Sequence, residues 1–143
     1  MGLAYSRMRT LGRGCMSAIT IAARLEKKLV LMSRDEALKA RLREVLPEGW
    51  AMVETLDLAS LGEFQDILIY RFMLLDLDAL SEDFDPQDQI RTVRMDMMLN
   101  LPIFCFGGSA DERDAARLNR ADRFFEREEM VRRLPQFCAQ YAW

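Results

Sequence analysis

The chain contains no histidine. That absence removes histidine-based catalytic triads, phosphohistidine relays and most zinc sites. Cysteine is scarce: Cys15, Cys105 and Cys138 are odd in number, widely spaced and form no C-x-x-C pair. Reduced thiols in a cytoplasm fit that usage best, with Cys105 as a small core hydrophobe. No apolar run approaches the ~20 residues needed to span a bilayer, so no membrane segment is expected. Uncompensated positive charge is also missing, because a net charge of −3 argues against nucleic acid as a partner. Residues 1 to 15 carry Arg7, Arg9 and Arg13, but no apolar h-region follows, so a secretory signal is not expected. "MGLAYS" matches the short N-myristoylation pattern, which is frequent by chance and is discounted. Met16 could equally serve as a second start.

What is present is a chain of 143 residues, half of them hydrophobic and 30% charged, enough for one domain with a substantial core. Apolar runs alternate with amphipathic segments. Leu29 to Met32 reads as a strand, and Leu38, Leu42 and Val45 then recur at helical spacing. Ser33 and Glu36 have the S-x-x-E spacing of a capping box, with Ser33 as the helix N-cap, and Pro47 and Gly49 end the helix. Trp50 to Thr55 reads as a second strand, and a polar helix or loop spans 57 to 65. "FMLLDLDAL", residues 72 to 80, begins as a buried strand and stops on Asp76.

Asp85 and Pro86 suit a helix start, followed by an apolar stripe of Ile90, Val93, Met97 and Leu101. "PIFCF" is a fourth strand, closed by Gly107 and Gly108. "SADE", residues 109 to 112, opens a helix running to about Arg120. "RFF", residues 123 to 125, is a fifth strand, and residues 128 to 141 form a last helix that Pro135 should kink or divide. The acidic loop "SEDFDPQD" reads as a solvated helix-capping segment, and the ten methionines read mainly as core, Met95, Met97 and Met98 included.

Strands with little polar interruption, alternating with helices, imply a parallel sheet covered on both faces, a doubly wound α/β fold. The functional crevice of such a sheet lies at the carboxyl ends of the strands. Those ends carry Ser33 and Arg34, Asp76, Gly107 and Gly108, and Glu126 and Arg127.

"LVLMSRDEAL", "FMLLDLDAL", "LPIFCFGGSADERDAARL" and "RADRFFER" resemble, in order and spacing, the receiver domain of two-component response regulators. The resemblance covers residues 28 to 143 and leaves residues 1 to 27 as an extension, flexible or an added helix. It implies a flavodoxin-like (βα)5 sandwich with a five-stranded parallel sheet. L-L-D-L-D at 74 to 78 matches the family's phosphoacceptor strand and puts Asp76 at the phosphoacceptor position. The other site positions depart from the family. Ser33 and Arg34 stand where it has a metal-holding acidic pair, Gly107 where it has Thr or Ser, and Arg127, followed by Glu128 rather than proline, where it has Lys.

Phosphoryl transfer to a carboxylate depends on charge stabilisation, which Mg²⁺ supplies through oxygen ligands that this chain has replaced. No metal or other cofactor is therefore expected, and Asp76 is expected to be inactive. Either Arg34 pins Asp76 as an ion pair in place of the metal, or it swings into solvent; Asp35 should face solvent.

The expectation is a pseudoreceiver: not an enzyme, but a cytoplasmic protein–protein interaction module in signal transduction, with a protein partner and a homodimeric state. The alternatives are a single-domain regulator still phosphorylated on Asp76, and a small-molecule sensor using the crevice. In the family, the surface of the fourth helix, fifth strand and fifth helix carries dimer and partner contacts. Here that face holds Arg117, Arg120, Arg123, Arg132 and Arg133 among Glu126, Glu128 and Glu129, with Phe137, Tyr141 and Trp143 as aromatic anchors.

Overall fold

The computed structural model describes residues 21–143. The myristoylation-like pattern, the basic prefix, Cys15 and Met16 lie outside the described residues. Helix α1 (Ile21–Leu25) leads into β1 (Lys27–Met32), then α2 (Glu36–Val45) and β2 (Trp50–Glu54). A 3-10 turn (Leu58–Leu61) and the single-turn α3 (Phe64–Ile67) precede β3 (Phe72–Asp76). A second 3-10 turn (Leu77–Ala79) follows, then α4 (Pro86–Arg91), which continues into a π turn (Thr92–Asp96). Strand β4 (Ile103–Phe106), α5 (Ala110–Leu118), β5 (Arg123–Phe125) and α6 (Arg127–Gln140) complete the order.

The five strands form one sheet in the order β2-β1-β3-β4-β5, all parallel. Alternation along each strand explains why the sheet is covered twice. Val30, Met32, Met73, Leu75, Ile103 and Cys105 point to one core, where Ile67, Ile90 and Ala116 meet them. Leu29, Leu31, Phe72, Leu74, Phe104 and Phe106 point to the other, packed by Leu38 and Leu42 of α2 and Met130, Leu134 and Phe137 of α6. Burying a large apolar side chain on either face contributes roughly 1.5–3 kcal/mol, so a one-residue register slip would exchange two well-matched cores. β3 is buried along its whole length, Asp76 included.

Two features differ from the sequence reading, each for a physical reason. The N-cap of α2 is Asp35, whose carboxylate accepts the Leu38 N–H, because the Ser33 hydroxyl is engaged elsewhere. The stripe Ile90, Val93, Met97, Leu101 is not one helix. The chain winds into the π turn and leaves it, with Arg94 turned inward to donate to the carbonyls of Leu99, Leu101 and Arg120 and to Asp122 at 2.7 Å. Met95 and Met98 are consequently exposed, at 63% and 81%, rather than core, and Met98 has a φ of 56°. Of the two outcomes expected at Pro135, division is not the one seen, because α6 is continuous through it.

Other expectations hold. Asp85 caps α4 with Pro86 at its start, and Ser109 and Glu112 form a reciprocal capping box at α5. Cys105 is fully buried. Among the described residues no helix is long and apolar enough to cross a membrane.

Candidate functional site

The parallel topology brings the carboxyl ends of β1, β3 and β4 and the start of α6 together. Asp76 ends β3 and is only 2% exposed. Its carboxylate receives four hydrogen bonds. The Ser33 hydroxyl donates to Oδ2 at 2.7 Å, and the Asp78 N–H donates to Oδ1 at 2.9 Å. Arg127 supplies the other two, Nη1 to Oδ1 at 2.7 Å and Nη2 to Oδ2 at 3.1 Å. A carboxylate has about four lone-pair sites, so each oxygen of Asp76 is saturated. The two-pronged contact is the arrangement for which guanidinium is suited and ammonium is not.

Arg127 reaches further than Asp76. Its Nη2 lies 2.7 Å from Asp35 Oδ2, and its Nη1 lies 3.2 Å from Asp78 Oδ2. One guanidinium thus sits among three carboxylates and also lies 5.2 Å from the Phe106 ring centroid. Its pKa is pushed further above the ordinary guanidinium value, first by the hydrogen bond to Asp76 and then by the one to Asp35, against the opposing effect of burial. Asp35 is held below the usual carboxylate range, first by the Leu38 N–H and then by Arg127.

Three side chains differ here from what the sequence suggests. Of the two alternatives for Arg34, pairing with Asp76 is not the one seen, and the residue is exposed. Its Nε donates to the Ala79 carbonyl at 3.2 Å and its Nη2 to the Ser81 hydroxyl at 2.6 Å, so it fastens down the loop after β3. The pinning cation exists, but it comes from the start of α6. Asp35 does not simply face solvent, since the same carboxylate caps α2 and binds Arg127. Ser33 is not an N-cap but a buried donor to Asp76 that also accepts the Asp35 N–H.

Gly107 follows β4 with a φ of 71°, in the left-handed region that favours glycine. A Cβ there would collide with Asp78 Oδ2 and come within 3.0 Å of Arg127 Nη1. The Gly108 N–H donates to Asp78 Oδ1 at 3.0 Å. The glycine pair therefore leaves room for the Asp78–Arg127 contact where the resembled family carries a hydroxyl side chain.

The donor set does not fit a divalent ion as it stands. Mg²⁺ takes oxygen ligands at about 2.0–2.1 Å in near-octahedral array. Here the oxygens of Asp35, Asp76 and Asp78 converge on a guanidinium, and among the described residues no group of three or more ligating side chains is arranged to hold a metal.

No family model and no curated protein matches the chain. Solved structures do. The signal receiver domain of a response regulator from Bermanella marisrubri has a TM-score of 0.64 at 20% identity, over 82% of this chain and 99% of that one. The phosphorylated cyanobacterial phytochrome response regulator RcpA has a TM-score of 0.62 at 19% identity, over 80% of this chain and 90% of that one. A putative response regulator from Chloroflexus aurantiacus has a TM-score of 0.58 at 18% identity, over 79% and 98%. Identities this low establish the architecture rather than the chemistry, and that architecture, five parallel strands in the order 2-1-3-4-5 with Asp76 ending the central one, is the response-regulator receiver fold.

Proposed function

We propose that this chain is a pseudoreceiver, a protein–protein interaction module in signal transduction that keeps the receiver scaffold without metal-dependent phosphoryl transfer. The observation that carries the reading is the saturation of Asp76. To attack phosphorus, an Asp76 oxygen must offer a lone pair, and all of them already accept hydrogen bonds. Freeing one means breaking part of a charge-assisted two-pronged bond in a nearly buried site, against a cation that also holds Asp35 and Asp78. Asp76 is thus paired with a cation of the same chain, and Arg127 ties β3 to α6 across the site.

Support for a docking role lies on the α5–β5–α6 face. Leu118 is 86% exposed there, and Arg117 stacks over Phe124 while pairing with Asp114. Arg133 pairs with Glu129 and covers the rings of Phe125 and Phe137. Glu128, by contrast, turns to Arg41 of α2 and is not available to a partner without breaking that pair. A homodimer built on this face would use Leu118 and the remaining arginines against acidic residues of the second copy.

The reading is tested by adding beryllofluoride and Mg²⁺ to the isotope-labelled chain. The amide signals of Asp76, Gly107 and Gly108 should not move. Shifts confined to those residues would show a working phosphoacceptor, and the chain would then be a phosphorylated single-domain regulator.

A further inference from the structure

A cavity of about 290 Å³ opens beside the Asp76 site, between the loop after β3 and the first turns of α4 and α5. Its apolar surface comes from Leu77, Leu80, Pro86 and Ala115, and its charge from Asp85, Asp111 and Glu112. Leu80 is 57% exposed, an unusual position for a leucine next to a concave apolar surface. The bridge from the Gln87 side chain to the Glu112 carbonyl at 3.0 Å ties α4 to α5 across the cavity. The wall at Leu77 is fixed by close packing, because a Cβ on Gly108 would lie 2.7 Å from Leu77 Cβ. Asp85 and Glu112 each spend an oxygen on a helix cap yet keep their charge, and the exposed loop before Asp85 adds Glu82 and Asp83.

This volume is at the lower edge of ligand pockets, about 300–1,000 Å³, and suits one or two side chains better than a cofactor. The combination asks for a segment that presents large apolar residues next to arginine and carries no acid. The chain's own first twenty residues have that composition. They contain Arg7, Arg9 and Arg13, with Leu3, Tyr5, Met8 and Leu11 interspersed, and the first acidic residue of the chain is Glu26. Reach does not forbid it. Twenty extended residues span up to about 65 Å, whereas a domain of this size is roughly 35 Å across from its radius of gyration.

We propose that the segment around Arg7 to Leu11 docks in this acidic-rimmed apolar cavity of the same chain. The inference is independent of whether Asp76 takes phosphate. The match is one of composition: Met8 and Leu11 suit the apolar floor, and Arg7 and Arg9 suit the acidic rim of Asp85, Asp111 and Glu112. Such pairing at a surface is screened by salt, so the contact weakens as ionic strength rises.

The full chain carries its own reporter position. Cys105 and Cys138 are fully buried, so a nitroxide can be directed to Cys15. In the spin-labelled chain the amides of Leu80, Gln87 and Ala115 should lose most of their NMR intensity, while those of β2 keep theirs. Replacing Arg7, Arg9 and Arg13 together by Glu should restore the intensity, as should Asp111→Lys, with the remaining amide spectrum unchanged. Quenching spread evenly, centred elsewhere or absent overturns the proposal, as does quenching that survives both sets of charge reversals. A mixed sample, with isotope in a Cys15→Ser chain and the nitroxide on unlabelled chains, provides the remaining control. Cavity amides quenched equally there would assign the segment to a second copy and overturn docking within one chain.

Discussion

The guanidinium of Arg127 grips Asp76 with both terminal nitrogens, at 2.7 and 3.1 Å, across 51 residues of sequence. Asp76 closes the central strand and Arg127 opens the last helix, so the pair ties the middle of the sheet to α6 at the point where a receiver does its chemistry. The energetic consequence follows from burial. The Asp76 side chain is 3% exposed and that of Arg127 is 29% exposed. Removing the arginine therefore strands a buried charge, while removing the aspartate leaves a half-solvated one with two acids beside it.

Arg127→Ala should accordingly destabilise the fold more than Asp76→Ala. Breaking a fully buried pair costs about 3–5 kcal/mol, and this site opens on one side, so about 2–4 kcal/mol is expected for Arg127→Ala. Asp76→Ala should cost about 1–2 kcal/mol, because Arg127 retains Asp35 and Asp78. The double variant should lose less than the sum. Arg34→Ala, which touches none of these groups, should stay within about 1 kcal/mol of the parent. Urea unfolding of the five proteins measures all of this, and additive single variants would mean that the pair contributes nothing.

Restoring the hydroxyl residue of the resembled family at Gly107 should harm this protein. The position has a φ of 71°, and a side chain there meets the Asp78–Arg127 contact. Holding a non-glycine residue in such backbone costs on the order of 1–3 kcal/mol. Gly107→Thr is expected to lower the unfolding midpoint and to leave Asp76 unresponsive to acetyl phosphate with Mg²⁺, read by intact mass. A phosphorylated Gly107→Thr protein would show that the glycine alone had disabled the site.

The succession of strands and helices along the chain was legible because apolar runs and helical period are local properties of sequence. Asp76 was legible for the same reason, as a carboxylate ending an apolar run. The identity of its cation was not. Arg34 is nearest along the chain end it shares with Ser33, but side-chain direction after β1 sends it to Ala79 and Ser81. Arg127 was identified by its position yet not paired, since which of two arginines reaches a carboxylate depends on helix orientation rather than spacing. Ser33 and Asp35 compete for one helix cap two residues apart, and a buried partner for the Ser33 hydroxyl decided the competition. The interrupted helix after Arg91 was hidden because apolar periodicity continued while Arg94 found four acceptors in the interior.

Both buried thiols should be silent in the native protein. Burial pushes the thiols of Cys105 and Cys138 up to about 12, so neither is a thiolate near neutrality. In a Cys15→Ser variant, a thiol reagent at pH 8 should react with neither cysteine until denaturant is added and then with both. Fast reaction of either in the folded state would mean that the face of the sheet covered by it opens readily.

Acid should weaken the site through Asp35. Its folded-state pKa is depressed, by the Leu38 N–H first and by Arg127 second. A depressed carboxylate contributes stability above its unfolded value, near 3.9, and loses that contribution as pH falls through the lower folded value. Stability should thus be flat from neutrality down to about pH 4 as far as Asp35 is concerned, and decline below it. The Asp35 side chain is 38% exposed, so solvent screening limits the effect to about 1 kcal/mol or less. Asp35→Asn isolates the charge, because asparagine caps a helix as well as aspartate does. At pH 7 the variant should be less stable than the parent, and the two unfolding curves should converge as pH falls through the depressed folded value of Asp35. A gap that persists undiminished in acid would assign the loss to altered capping geometry instead of the Asp35–Arg127 pair.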